Sequence, residues 1–154
     1  MRTRTILATL AVFVAGAALS LAADVNMGTW KLNDGKSKIA PGAPKNTTVI
    51  YAAMGDGVKV TVDGVDKDGK PTHNEWTGKF DGKDYAVAGD PASDMRSYTK
   101  VDEHTTKIEV KKGGKTTITG NLVVAADGKS RTLTTTSTDA AGKTVTNTFV
   151  YDKQ

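Results

Sequence analysis

Cysteine is absent from this 154-residue chain, and histidine occurs only twice. Without cysteine the protein can form no disulfide, has no thiol nucleophile, and offers no attachment point for a lipid behind an export signal. No Gly-x-Ser-x-Gly motif supplies a serine nucleophile in its place. These absences favour a binding or structural protein over an enzyme, and they predict no cofactor.

The chain also lacks any long block of like charge. Arg2 and Arg4 belong to the N-terminal segment discussed next, and the rest carries 19 Lys and Arg against 17 Asp and Glu, a formal charge of +2. The one basic cluster, Lys111, Lys112 and Lys115, flanks a Gly-Gly pair. A solvated hairpin tip explains that cluster, so we expect no nucleic-acid partner.

Only one long apolar run is present, at residues 6–19, and it follows the basic start Met-Arg-Thr-Arg. The small-x-small sequence Ser20-Leu21-Ala22 comes next, with Ala23 as an alternative cleavage position. This order predicts a signal peptide over 1–23. A retained anchor is the alternative, but spanning a membrane takes about 20 apolar residues. We expect a bacterial periplasmic or secreted protein, free of the membrane after cleavage, with one domain at 24–154.

No stretch after the leader shows a sustained helical period, and Pro41-Gly42-Ala43-Pro44 leaves room for at most one helical turn in 35–46. Glycine-containing turns instead separate short segments rich in Val, Thr, Ile and Tyr, which is the pattern of hairpins. The sequence therefore predicts an all-β, antiparallel up-and-down barrel of about ten strands, because closure removes exposed edges. The predicted strands are 28–33, 47–54, 58–65, 71–80, 84–88, 95–101, 106–112, 115–125, 130–138 and 143–151.

Alternation along some strands indicates which side chains face the interior. Val58, Val60 and Val62 share one face of the third predicted strand. The last two strands are ambiguous, because threonine rows (132, 134, 136, 138 and 144, 146, 148) alternate with mixed residues. Either the interior is partly polar or threonine covers the exterior. Threonine's strand propensity explains these rows better than an ice-binding hydroxyl lattice does.

The stretch Gly28-Thr29-Trp30-Lys31-Leu32, the strand count and the ending Phe149-Val150-Tyr151-Asp152-Lys153 resemble the calycins. This group includes the lipocalins and fatty-acid-binding proteins, and the chain is also similar to small exported bacterial proteins called lipocalin-like. The resemblance implies a barrel that carries a small hydrophobic or amphipathic ligand. It also implies a structural role for Trp30 under a basic side chain, here Lys153.

The chain departs from the fatty-acid-binding proteins in two respects. The loop at 35–46 cannot supply their pair of lid helices. Phe149 stands where their last strand carries the arginine of an Arg-x-Tyr pair that holds the ligand carboxylate. Arg96 and Tyr98 restore that spacing on the sixth predicted strand, where residues i and i+2 share a face. They are our candidate ligand-binding pair; the alternative is an outward row that includes Lys100.

Three aromatic residues, Trp76, Phe80 and Tyr51, are the other candidate ligand-binding residues, with core packing as the alternative reading. For a metal, His73 and Glu75 share a face but nothing brings His104 to them, so we predict no metal site. The carboxylates of Asp84, Asp90 and Asp94, in and around the Gly-Asp-Pro loop at 89–91, suit loop capping better than acid–base catalysis.

These observations predict an exported barrel that binds a small hydrophobic or amphipathic molecule. A structural or protein-binding barrel filled by its own side chains is the alternative, and a small barrel enzyme is a further one. An interior volume of a few hundred Å³ would favour ligand binding, whereas a histidine–carboxylate cluster in the barrel opening would favour the enzyme.

Overall fold

The computed structural model describes residues 24–154, so the predicted leader at 1–23 lies outside the described residues. Within 24–154 no helix is long and apolar enough to cross a membrane. The strands are β1 (Gly28–Leu32), β2 (Lys45–Met54), β3 (Gly57–Val65), β4 (Pro71–Gly78), β5 (Tyr85–Ala88), β6 (Met95–Lys100), β7 (Thr105–Lys112), β8 (Lys115–Val124), β9 (Ser130–Thr138) and β10 (Thr144–Lys153).

These ten strands form a closed antiparallel barrel in which each strand pairs with its neighbours in sequence and β1 pairs with β10. The predicted fold class is therefore confirmed, and the predicted strand ends differ from the observed ones by at most two residues. The pairing Trp30↔Lys153 closes the barrel between its first and last strands. Closure leaves no unpaired strand edge in the described sheet, so the barrel needs no covering helix to protect its edges.

The connection from β1 to β2 contains the only helix of the described chain, a 3₁₀ turn at Asp34–Lys36. The Asn33 side chain accepts a hydrogen bond from the Lys36 backbone N–H at 3.2 Å. Lys38 then pairs with Thr148 of β10 as an isolated bridge. This connection matches the single turn expected from its two prolines, and no helix pair covers the barrel here.

The inner faces of β9 and β10 are now assigned. Arg131, Leu133 and Thr135 of β9 line the interior, as do Asn147 and Phe149 of β10. The alternating threonines consequently lie on the outside of the barrel. The Thr rows face each other across the strand pair, with Thr136 opposite Thr146. Of the two alternatives left open by the sequence, both hold in part: threonine covers the exterior, and the interior is also partly polar.

The two ends of the barrel differ. One end, which we call the floor, carries Asp24, Gln154 and the loops that follow even-numbered strands, such as β2–β3 and β4–β5. The opposite end, which we call the mouth, is formed by the loops that follow odd-numbered strands, such as β1–β2 and β5–β6. At the floor, Trp30 is fully buried and its Nε1 donates a hydrogen bond to the Asn26 carbonyl at 2.7 Å. Asn26 also donates from Nδ2 to Thr106 Oγ1 at 3.3 Å, which fixes the entering chain across the floor.

A glycine permits close aromatic packing near the floor. A Cβ atom added at Gly78 would lie 2.6 Å from side-chain atoms of both Trp76 and Tyr85. The rings of Trp76 and Tyr85 meet edge to face with centroids 5.6 Å apart. Because these two rings occupy the space that a side chain would need, the position requires glycine irrespective of backbone torsion.

Candidate ligand cavity

A cavity of about 400 Å³ occupies the barrel interior between the mouth and the aromatic residues of the floor. Exposed residues of the mouth, including Pro44, Asn46 and Pro91, contribute to its wall, so the cavity opens to solvent there. Its deeper wall is mainly apolar, with a few polar side chains. The deeper residues include Val49, Tyr51, Val62, Asn74, Arg96, Tyr98, Ile108, Leu122, Arg131, Leu133, Asn147, Phe149 and Tyr151.

Arg131 is the most deeply buried charged residue of this wall, with 3% of its surface exposed. Three aromatic rings surround its guanidinium carbon, which lies 4.6 Å from the ring centroid of Trp30, 4.7 Å from that of Tyr51 and 5.1 Å from that of Tyr151. Each ring face attracts a cation by roughly 0.5–2 kcal/mol. Arg131 Nε and Nη1 nevertheless have no hydrogen-bond partner among the described residues.

The tyrosines beside Arg131 remain protonated at neutral pH. Burial raises the pKa of Tyr151 to about 12, against a smaller opposing effect of the Arg131 charge. Burial also raises the pKa of Tyr51, reinforced by Tyr98, while Arg131 and Arg96 act in the opposite direction. Both hydroxyls therefore keep a proton that can be donated to a ligand.

Arg96 and Tyr98 lie side by side on the inner face of β6, as their spacing requires, and both line the cavity. Lys100 on the same strand is exposed and reaches Asp24 Oδ2 at 3.0 Å. Unlike Arg131, Arg96 has polar partners: its Nη2 donates to Asn74 Oδ1 at 3.3 Å and lies 3.9 Å from Asp90 Oδ2. The charge of Arg96 is thus partly compensated by the protein.

Of the three aromatic candidates, the structure brings only Tyr51 to the cavity wall. Trp76 is buried and Phe80 half-buried, and neither belongs to the wall. The Trp76 ring packs against Tyr98 with centroids 4.6 Å apart, and its Nε1 donates to the Arg96 carbonyl at 2.9 Å. Trp76 and Phe80 therefore pack against Tyr98 without lining the cavity themselves.

Trp30 and Lys153 are in contact at the floor, where Lys153 Nζ lies 5.1 Å from the centroid of the Trp30 ring. The resemblance to calycins implied only the Lys153 cation, and the structure adds Arg131 as a second, closer one. Trp30 is not part of the cavity wall. Its hydrogen bond to the Asn26 carbonyl instead links it to the segment Asp24–Met27.

The two histidines lie apart from the cavity. His73 contacts Asp63 on the barrel exterior, with Nδ1 2.7 Å from Oδ1, and this hydrogen bond raises the pKa of the imidazole. His104 instead lies in the β6–β7 turn, where Nδ1 is 3.1 Å from the Val124 carbonyl. Across residues 24–154, no three His, Asp or Glu side chains are grouped so that they could hold a metal ion.

The three loop carboxylates have separate partners, so they form no acid–base pair. Asp84 Oδ2 accepts from Lys111 Nζ at 2.7 Å, and Asp94 Oδ2 accepts from the Gly113 backbone N–H at 2.8 Å. Asp90 caps its own loop, accepting from the Ala92 backbone N–H at 2.8 Å. Only Asp90 also lines the cavity, next to Arg96.

Sequence reasoning missed Arg131 and Tyr151 as cavity residues. A signal was present, because Arg131 alternates with Leu133 on one face of β9 and arginine occurs only twice in residues 24–154. The face could not be chosen, since threonine occupies both sides of that strand.

Comparison of the chain with protein-family models gives no match, and comparison with curated proteins gives none either. The closed ten-stranded antiparallel barrel is compatible with the calycin fold. Its function is therefore inferred from the cavity and the side chains that line it.

Proposed function

We propose that this barrel binds a small hydrophobic or amphipathic molecule inside its cavity. The observation that carries the proposal is the open interior of about 400 Å³, within the range of 300–1,000 Å³ that is typical of small-molecule sites. The wall combines apolar side chains such as Ile108 and Leu122 with the polar groups of Tyr51, Arg96 and Tyr98. Such a wall suits a molecule with an apolar body and one polar end.

A barrel filled by its own side chains would lack this volume, so the cavity favours ligand binding over a purely structural role. The enzyme alternative gains no support from the wall, because His73 and His104 both lie away from it. The candidate residues then divide into two groups. Tyr51, Arg96 and Tyr98 would contact the ligand, whereas Trp76 and Phe80 would hold Tyr98 in position.

The test compares a substitution that fills the cavity with one on the opposite face of the same strand. Ile118 lines the cavity on β8, and its neighbour Thr119 is exposed on the exterior. The uncharged fluorescent probe N-phenyl-naphthylamine is titrated into wild type, Ile118→Trp and Thr119→Trp. We expect wild type and Thr119→Trp to bind the probe with similar affinity and Ile118→Trp to bind it at least about 10-fold more weakly, because the indole occupies the apolar space.

Equal probe binding by both tryptophan variants would show that the probe sits outside the cavity, and absence of binding to wild type would contradict the proposal. Native mass spectrometry of protein purified from its own host gives an independent measurement, since a co-purified small molecule should appear as a mass difference. The same spectrum of Ile118→Trp should show that difference reduced or lost.

A further inference from the structure

Arg131 carries a positive charge that the described protein does not neutralise. Arginine keeps its charge in proteins, whereas burial can remove the charge of lysine or histidine. No ion pair within residues 24–154 involves Arg131, and its buried Nε and Nη1 lack hydrogen-bond partners. Taking an ionised group out of water without pairing it is costly.

The aromatic rings around Arg131 compensate for only part of this cost. Trp30, Tyr51 and Tyr151 present their faces to the cation, but a ring face does not accept the directed hydrogen bonds that a guanidinium N–H offers. The contrast with Arg96 is informative. Arg96 has an amide oxygen from Asn74 and a carboxylate from Asp90 nearby, so its requirement for an anion is partly met within the protein.

We infer that the ligand is an organic anion whose charged group is bound by Arg131 at the inner end of the cavity, an inference that rests on the proposed binding function. A carboxylate or sulfonate matches the fork of guanidinium N–H groups. Tyr51 and Tyr151 both line the cavity and both contact Arg131 through their rings, so their hydroxyls would be neutral donors available to the same group.

The rest of the ligand would then point toward the mouth. Leu133, Thr135 and Ser137 follow Arg131 along the inner face of β9, and all three line the cavity. Six residues of strand span about 20 Å along the strand. An apolar chain extending from Arg131 in this direction meets Leu133 and Phe149 before it reaches the polar residues of the mouth.

The experiment uses three probes with the same twelve-carbon chain: dodecanoate, dodecyl sulfonate and the uncharged dodecanol. Each displaces N-phenyl-naphthylamine from wild type, Arg131→Met, Arg96→Met and the control Lys107→Met, which removes an exposed charge on the outer face of β7. We expect wild type and the control to prefer the two anions over the alcohol by about 10–150-fold, the range of a charged hydrogen bond. Arg131→Met should bind all three probes equally.

Stability measurements separate ligand binding from a structural role for Arg131. Methionine fills a similar volume without a charge, so we expect the Tm of ligand-free Arg131→Met to equal or exceed that of wild type. Dodecanoate should raise the Tm of wild type and of Lys107→Met but not that of Arg131→Met. A ligand-free Tm well below that of wild type would mean that Arg131 serves the fold, and it would overturn the inference.

Three further outcomes are decisive. If wild type binds dodecanol and dodecanoate equally, the cavity binds a ligand but Arg131 does not select an anion; if no probe binds, the proposed function itself fails. Loss of the anion preference in Arg96→Met rather than in Arg131→Met would also overturn the inference. Tyr151→Phe is a second, milder variant: removing that hydroxyl should weaken binding of both anions and leave dodecanol unaffected, and unchanged binding of the anions by Tyr151→Phe would contradict the inference.

Discussion

At the scale of single residues, Trp30 shows how one side chain closes the floor. Its ring is fully buried, and its indole N–H donates to the Asn26 carbonyl. The guanidinium carbon of Arg131 and Nζ of Lys153 lie 4.6 Å and 5.1 Å from the ring centroid. Every part of the indole thus has a partner. The residue lies outside the cavity wall, so we assign it to stability and not to ligand contact.

We predict that Trp30→Ala lowers the free energy of unfolding by about 3–5 kcal/mol, as other substitutions of large buried residues do. The loss combines the transfer of the ring with the cavity left behind. Chemical denaturation followed by circular dichroism measures the effect. The control is Val101→Ala at an exposed site, which should change the unfolding free energy by less than about 0.5 kcal/mol. An unchanged midpoint for Trp30→Ala would contradict the structural role.

Some site residues could be predicted from the sequence and others could not. Arg96 and Tyr98 are two residues apart in a segment that reads as a strand, so a shared face followed from strand geometry alone. Whether that face was inside did not follow, because Lys100 continues the same row. The position of Arg131 could not be predicted for a different reason. A charged side chain is expected to be exposed, and only the closed barrel shows that three aromatic rings surround it.

At the scale of elements, the strands were predictable because glycine turns and period-two patterns are local properties. The turn after β3 is an example: Asp66 Oδ1 accepts from the backbone N–H groups of Asp68 and Lys70, and Gly69 has a positive φ of 76°. Side-chain packing is not local. The sequence leaves Trp76 and Phe80 open between cavity wall and core, and the outcome depends on Tyr98, which contacts them from another strand.

The junction of β4 with the following loop gives an element-scale prediction. We predict that Gly78→Ala costs about 1–3 kcal/mol, because the new methyl group would overlap the rings of Trp76 and Tyr85. Thermal unfolding measures the change. Gly35→Ala is the matched control, since a Cβ at Gly35 meets only Asn33 Oδ1 at an ordinary 3.6 Å and that backbone has no positive φ. Equal stability of the two variants would show that the aromatic rings can move aside without cost.

At the scale of the whole molecule, the domain includes the chain from Asp24 onward. Burial alone would raise the pKa of Asp24, but hydrogen bonds from Asn26 and Lys100 outweigh it and keep the pKa below its ordinary value. Asp24 is therefore charged at neutral pH and paired with Lys100 at 3.0 Å. Asn26 is 2% exposed, so the first described residues are already part of the packed floor.

This arrangement bears on our proposal that the protein is exported and that residues 1–22 or 1–23 are removed. Cleavage after Ala22 or Ala23 would leave the floor segment complete, because its first ion pair begins at Asp24. We predict that N-terminal sequencing of the exported protein begins at Ala23 or Asp24. A variant with both Ala22→Asp and Ala23→Asp should keep its leader and stay with the membrane fraction, because cleavage requires small residues at these positions.

Ser20→Ala is the control for that experiment, since it keeps a small residue and should be processed normally. Both variants retain residues 24–154, so a difference in processing cannot arise from a change within the barrel. Recovery of wild-type protein from the periplasm or medium with an intact N-terminus would contradict cleavage. Recovery of the intact chain only from the membrane would instead support the retained anchor, and a barrel that binds its ligand while tethered to the membrane.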